Sequence, residues 1–188
     1  MGVFDRYRVN TLITNGQSFG ESPIYDEVLA AAEAQQTEIR PVQAGEVIEI
    51  GDGVRLEVVH PGPNLITDDR NENSVSMRLV YEDFTFLFTG DAEQAGEAEM
   101  LAAERPLNAL VFKAGHHGSN SSSSLPFLQT VQPQIIIISA GVDNRFGHPA
   151  PEMLARAETV GAVVLRTDTL GTISVVTDGY RMAWQAEP

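Results

Sequence analysis

A chain of 188 residues that is 43% hydrophobic is long and apolar enough for one ordinary domain with a sizeable core, which excludes a disordered segment. It has no cysteine, so disulfides, a four-thiolate zinc site and a thiol nucleophile are excluded. The formal charge of −14 opposes non-specific attraction to nucleic acid or an anionic membrane, so a phosphate-bearing substrate needs metal ions or a local basic spot. No stretch approaches the ~20 apolar residues that span a bilayer. Met1–Arg6 lacks the apolar core of a signal peptide, and the chain reads as a soluble piece, with room for it to belong to something larger.

The first predicted element is a strand over Val9–Thr14, ending at Asn15-Gly16. Ser22-Pro23 marks a helix start, with a capping side chain followed by proline, and Ile24, Val28, Leu29 and Ala32 carry helical spacing to about Gln35. Val47–Ile50 and Val54–Val59 flank Gly51-Asp52-Gly53 and predict a hairpin. After the polar loop Thr67–Asn73, Val75, Met77 and Leu79 alternate with polar residues, as do Phe84, Phe86 and Phe88 beyond Glu82-Asp83, predicting a second hairpin.

From Gly90 the pattern becomes strand–helix alternation. A helix is expected over Ala92–Glu104, with Ala95, Ala98 or Glu99, Met100 and Leu101 inward, and its carboxylates Glu93, Glu97, Glu99 and Glu104 on a solvated face. Then follow a strand at Leu110–Phe112, a short helix at Leu125–Val131, and Ile135–Ile138, a strand apolar at every position and so covered on both faces. A helix at Pro151–Val160 and strands at Ala162–Leu165, Thr172–Val176 and Tyr180–Trp184 complete the chain. The order implies an α/β sandwich with mixed sheets.

Three of the four histidines fall within one window: His116 and His117 in His-His-Gly-Ser, and His148 in Phe-Gly-His-Pro. Asp91 follows Thr89-Gly90, and each of these groups follows an apolar strand. Were those strands parallel neighbours, their C-terminal ends would gather Asp91, His116, His117 and His148 at one sheet edge, where ligands bind. A carboxylate with imidazoles suits zinc, iron or manganese. Gly90 would let the backbone turn sharply enough to aim Asp91 inward. Capping of the following helix is the competing role for Asp91, and adjacent histidines in an extended segment point apart, so one of the pair would meet a given ion. His60, alone before Pro61, is expected to be structural. Ser119 lacks the strained nucleophile turn, and its serine-rich surroundings, Ser119–Ser124, read as a flexible loop or a helix cap.

The blocks Asn73–Leu79, Phe86–Asp91, Phe112–Ser119, Asn144–Pro149 and Thr167–Gly171 together resemble the metallo-β-lactamase-like domain of the bacterial competence protein ComEC and its stand-alone relatives, over roughly Ile39 to the C-terminus. The resemblance implies an αββα sandwich, a single partial domain over 1–188 that is N-terminally incomplete. It implies that Asp91 bridges two metal ions and that His148 is the last histidine ligand. His116 or His117 falls where ribonuclease-Z-like members carry a catalytic histidine or a ligand, and Lys113 where ComEC-like domains carry a lysine near a phosphate. Asn73 stands where many superfamily enzymes have a metal-binding histidine.

The superfamily's first motif, His-x-His-x-Asp-His, is missing, since no histidine precedes His60. The resemblance then implies a domain that begins after its main ligand cluster, through truncation or natural loss. The complete domain would be a zinc- or manganese-dependent phosphodiester hydrolase acting on DNA during uptake. It would be a soluble extramembrane part of a bacterial membrane protein, with the membrane reached only through that parent. This chain is expected to be inactive, to bind metal weakly or not at all, and to self-associate through an exposed sheet edge. The alternative is a non-catalytic remnant that binds nucleic acid or protein.

Overall fold

The computed structural model describes residues 2–17, 20, 22–66 and 69–187, which separate into two compact units on either side of the Val42–Gln43 bond. In the first unit β1 (Thr11–Thr14) and β2 (Glu38–Pro41) pair in parallel, connected through helix α1 (Pro23–Gln35). Parallel strands need such a crossover because the chain must return to the same end. Ser22 sits at the N-cap but its hydroxyl makes no capping bond. The start rests instead on Pro23, whose fixed φ and missing N–H suit the first turn. The strand expected from Val9 begins two residues later. The Val9 N–H donates to the Gln35 side chain and its carbonyl accepts from Thr37, so neither is free for a ladder. β2 offers periodicity nothing to find, because Ile39 is its one large aliphatic side chain.

The second unit is built on seven strands in sequence order: β3 (Val47–Gly51), β4 (Val54–His60), β5 (Ser76–Tyr81), β6 (Phe84–Phe88), β7 (Val111–Lys113), β8 (Ile135–Ile138) and β9 (Val163–Arg166). β3 to β6 are antiparallel, made by the two expected hairpins. β6 to β9 are parallel, connected by α2 (Gln94–Ala102), α3 (Leu125–Val131) and α4 (Pro151–Thr159). These helices share one face of the sheet. Met100, Phe127, Leu128 and Met153 pack there against Leu87, Phe112, Ile136 and Ile138. Full burial of a side chain such as Phe112 or Ile136 contributes roughly 1.5–3 kcal/mol.

On the opposite face Phe84, Val111, Ile135 and Leu165 pack against Ile173, Val175 and Met182 of a separate two-stranded sheet, β10 (Thr172–Thr177) and β11 (Met182–Glu187). The four isoleucines of β8 are therefore covered on both sides, which is why that strand reads as a continuous apolar run. Residues 167–170 form a one-turn helix, α5 (Thr167–Leu170), in a polar stretch that carries no helical pattern. The unit is α/β with a large mixed sheet, as composition and element order imply. Among the described residues, no helix is long and apolar enough to cross a membrane.

Candidate functional site

Parallel pairing of β6, β7 and β8 sets their C-terminal tips side by side. β6 leads into Thr89-Gly90-Asp91, β7 into a 3-10 turn over Gly115–Gly118, and β8 into the loop carrying His148. Hydrogen bonds tie the three tips to one another and the first of them to Ser74 ahead of β5. The Asp91 N–H donates to Ser74 Oγ (3.0 Å), the His116 N–H to the Gly90 carbonyl (3.0 Å), and the Ala150 N–H to the Gly118 carbonyl (2.9 Å). Gly90 adopts φ +57°, and a Cβ there would lie 2.9 Å from Ser74 Cβ. Glycine is thus required by both the left-handed turn and the close approach.

His116 and His117 are not extended. Both are left-handed, with φ 44° and 56°. Such residues cost about 1–3 kcal/mol each and persist where surrounding bonds fix them. The turn sends the two rings to different carboxylates. His116 Nδ1 lies 2.8 Å from Glu93 Oε1, and its ring meets His148 edge-on at 5.7 Å. His117 donates from Nδ1 to the Ser139 carbonyl (2.7 Å), which leaves Nε2 facing Asp91 Oδ1 at 3.7 Å.

The fields of these groups overlap. Burial lowers the His148 pKa from its ordinary value, His116 and His117 lower it further, and Asp91 opposes them. Lys113, the chain's single lysine, ends β7 on the same face of the sheet as Val111; burial lowers its pKa and Asp91 partly restores it. Six sequence-derived candidates are therefore at or near one edge: Asp91, Lys113, His116, His117 and His148, with Gly90 as the turn. Beside them a cavity of about 400 Å³ is lined by His117, Ser139, Asn144, Phe146 and His148.

Among the described residues no three His, Asp or Glu side chains gather where one ion would reach them. Each imidazole of the pair faces its own carboxylate, His117 towards Asp91 and His116 towards Glu93.

Other side chains act as supports. Asp91 does not cap α2. The Glu72 carboxylate does so, accepting the N–H groups of Glu93, Ala95 and Gly96 (3.0, 3.1 and 2.7 Å), which releases Asp91 from that role. Asn73 is fully buried and bonds the Ile66 and Asp69 backbone. His60 is buried against the Glu72 carbonyl (2.6 Å). Ser119 Oγ turns to Ser121 (2.8 Å).

Two expectations are corrected. Glu97 is not on a solvated face: it is buried, and burial raises its pKa. It accepts the N–H groups of Ser123 and Ser124, while Arg156 bonds the carbonyls of Asn120, Ser122 and Ser123. Residues 119–124 are thereby tied down and end on Ser124 at the N-cap position of α3, so the helix-cap alternative fits and the flexible loop does not; Ser122 Oγ in turn donates to the Gly115 carbonyl (2.8 Å). Glu93 likewise serves the site through His116. The signal was present in the sequence, since Glu93, Glu97 and Met100 follow i, i+4, i+7 and Met100 is a core residue.

No family model matches the chain. It is 36% identical over 159 residues to ComE operon protein 3 of Bacillus subtilis (strain 168), an alignment covering 84% of this chain and 20% of that protein. It is 32% identical over 148 residues to Competence protein ComA of Neisseria gonorrhoeae, covering 73% and 21%. It is 32% identical over 126 residues to Recombination protein 2 of Haemophilus influenzae, covering 65% and 15%. The chain thus spans about a fifth, or less, of the length of these relatives.

Proposed function

The chain carries a ComEC-like competence domain, and from that premise we propose that it serves DNA uptake by engaging DNA phosphodiesters at the edge formed by Asp91, Lys113, His116, His117 and His148. The site is of hydrolase type, and this chain alone binds without turnover. The observation that carries the reading is the convergence of three strand tips on one carboxylate and three imidazoles. Lys113 is the local cation that a strongly acidic chain needs beside a phosphate, and His117, fixed by Ser139 through Nδ1–H, offers Nε2–H to a phosphate oxygen when the ring carries both protons.

The non-catalytic half rests on the donor geometry, in which no three His, Asp or Glu side chains meet among the described residues. Metal-dependent hydrolysis in this reading needs donors beyond these side chains. An αββα sandwich of the metallo-β-lactamase type is part of the proposal, supported by the helix-covered sheet with a second sheet over its other face. Attachment to a membrane through a larger parent and pairing through a sheet edge belong to it as well.

The test uses a fluorescent single-stranded oligonucleotide at low salt, with and without Mn²⁺ or Zn²⁺. Binding that His117→Ala weakens, with no cleavage, is expected. Cleavage abolished by Asp91→Asn would overturn the absence of turnover; failure to bind DNA at all would overturn the reading as a whole.

A further inference from the structure

The loop between β8 and α4 presents an aromatic surface that none of the contacts above uses. Phe146 is 67% exposed at the mouth of the 400 Å³ cavity. His148 stacks on its ring, with centroids 5.9 Å apart and planes 27° apart. The Arg145 guanidinium lies 4.9 Å from the ring centroid. Phe146 lies outside the buried core, yet this loop is held in shape: Asn144 donates to the His148 carbonyl (2.6 Å) and accepts the His148 N–H (3.0 Å). A braced loop that offers a flat apolar ring to solvent at the edge of a cavity is built to receive a flat partner.

We propose that Phe146 is a stacking platform for one base of single-stranded nucleic acid, with His148 extending it and Arg145 serving the adjoining phosphate. The inference rests on the DNA-handling reading and names its substrate class: a single strand, whose bases are free to stack, rather than a duplex. A cation over an exposed ring is held weakly, whereas a stacked base is held more strongly, so a base displaces the guanidinium from the ring and leaves it free for an oxyanion. The cavity volume lies in the range of small-ligand sites, which suits one nucleoside unit. Stacking also answers the charge of −14. It is insensitive to the field that repels the backbone, so binding should depend on salt less steeply than in a basic groove.

The experiment is fluorescence anisotropy with a labelled single-stranded 12-mer, the same strand containing abasic positions, and the matching duplex. Phe146→Ala should weaken single-strand binding by roughly 5- to 150-fold, the range for loss of one stacked base. Phe146→Trp should retain binding and quench 2-aminopurine placed in the strand. The abasic strand and the duplex should bind the unaltered chain about as weakly as the intact strand binds Phe146→Ala. Tight single-strand binding unchanged in Phe146→Ala would overturn the platform and leave the DNA-handling reading standing. Absence of binding to every probe by the unaltered chain would overturn both.

Discussion

Replacement of Glu97 by glutamine tests whether a buried carboxylate supports the site from beneath. The two carboxylate oxygens of Glu97 accept two N–H groups, from Ser123 and Ser124, next to Arg156. Glutamine keeps the volume but has one acceptor oxygen, so its NH₂ must face a second N–H. A buried donor left without an acceptor costs about 1–3 kcal/mol. The pH dependence follows from the raised pKa, whose largest cause is burial. Above the ordinary value of 4.5 the unfolded carboxyl has lost its proton while the folded one still holds it, so this group's contribution falls as pH rises through the folded pKa and then levels. The glutamine variant lacks that slope, so the gap between the two proteins should be widest on the acid side and narrow as pH rises. Urea titrations from pH 5 to 8 measure it, followed through Trp184, the chain's one tryptophan, which lies on β11 in the second unit. Equal stability at every pH, or a gap that widens with pH, would refute the reasoning; the latter would mean that the serine amides and Arg156 outweigh burial.

Gly90→Ala should destabilise the second unit by about 1–3 kcal/mol, because it combines φ +57° with a Cβ 2.9 Å from Ser74; the denaturant midpoint reads it, and an unchanged midpoint would show that the turn relaxes freely. Asp91→Asn removes the charge that supports the ammonium of Lys113 and the imidazolium of His148, so both pKa values should fall further. For Lys113 this can be followed by NMR after reductive methylation, since it is the single lysine; an upward shift would place Asp91's field elsewhere.

Much of this was legible in the sequence because the elements advertise their surroundings locally. Ile135–Ile138 and Leu125–Val131 fall on the predicted residues, since an all-apolar run and a proline-opened helix are each decided within a few residues. The glycine at position 90 and the strand-tip position of Asp91, His116 and His148 could be inferred from the same short-range order. What could not be inferred was partnership. That Glu72 rather than Asp91 caps α2, that Glu97 meets the amides of the serine loop, and that His117 rather than His116 faces Asp91 each depend on groups 21 to 27 residues apart meeting across packed layers. Helical spacing puts Glu97 on the side of Met100, but a carboxylate on that side reads alike in sequence whether it meets water at the rim or a ring of amide donors. Only the folded chain, by excluding water from one of those places, decides which it is.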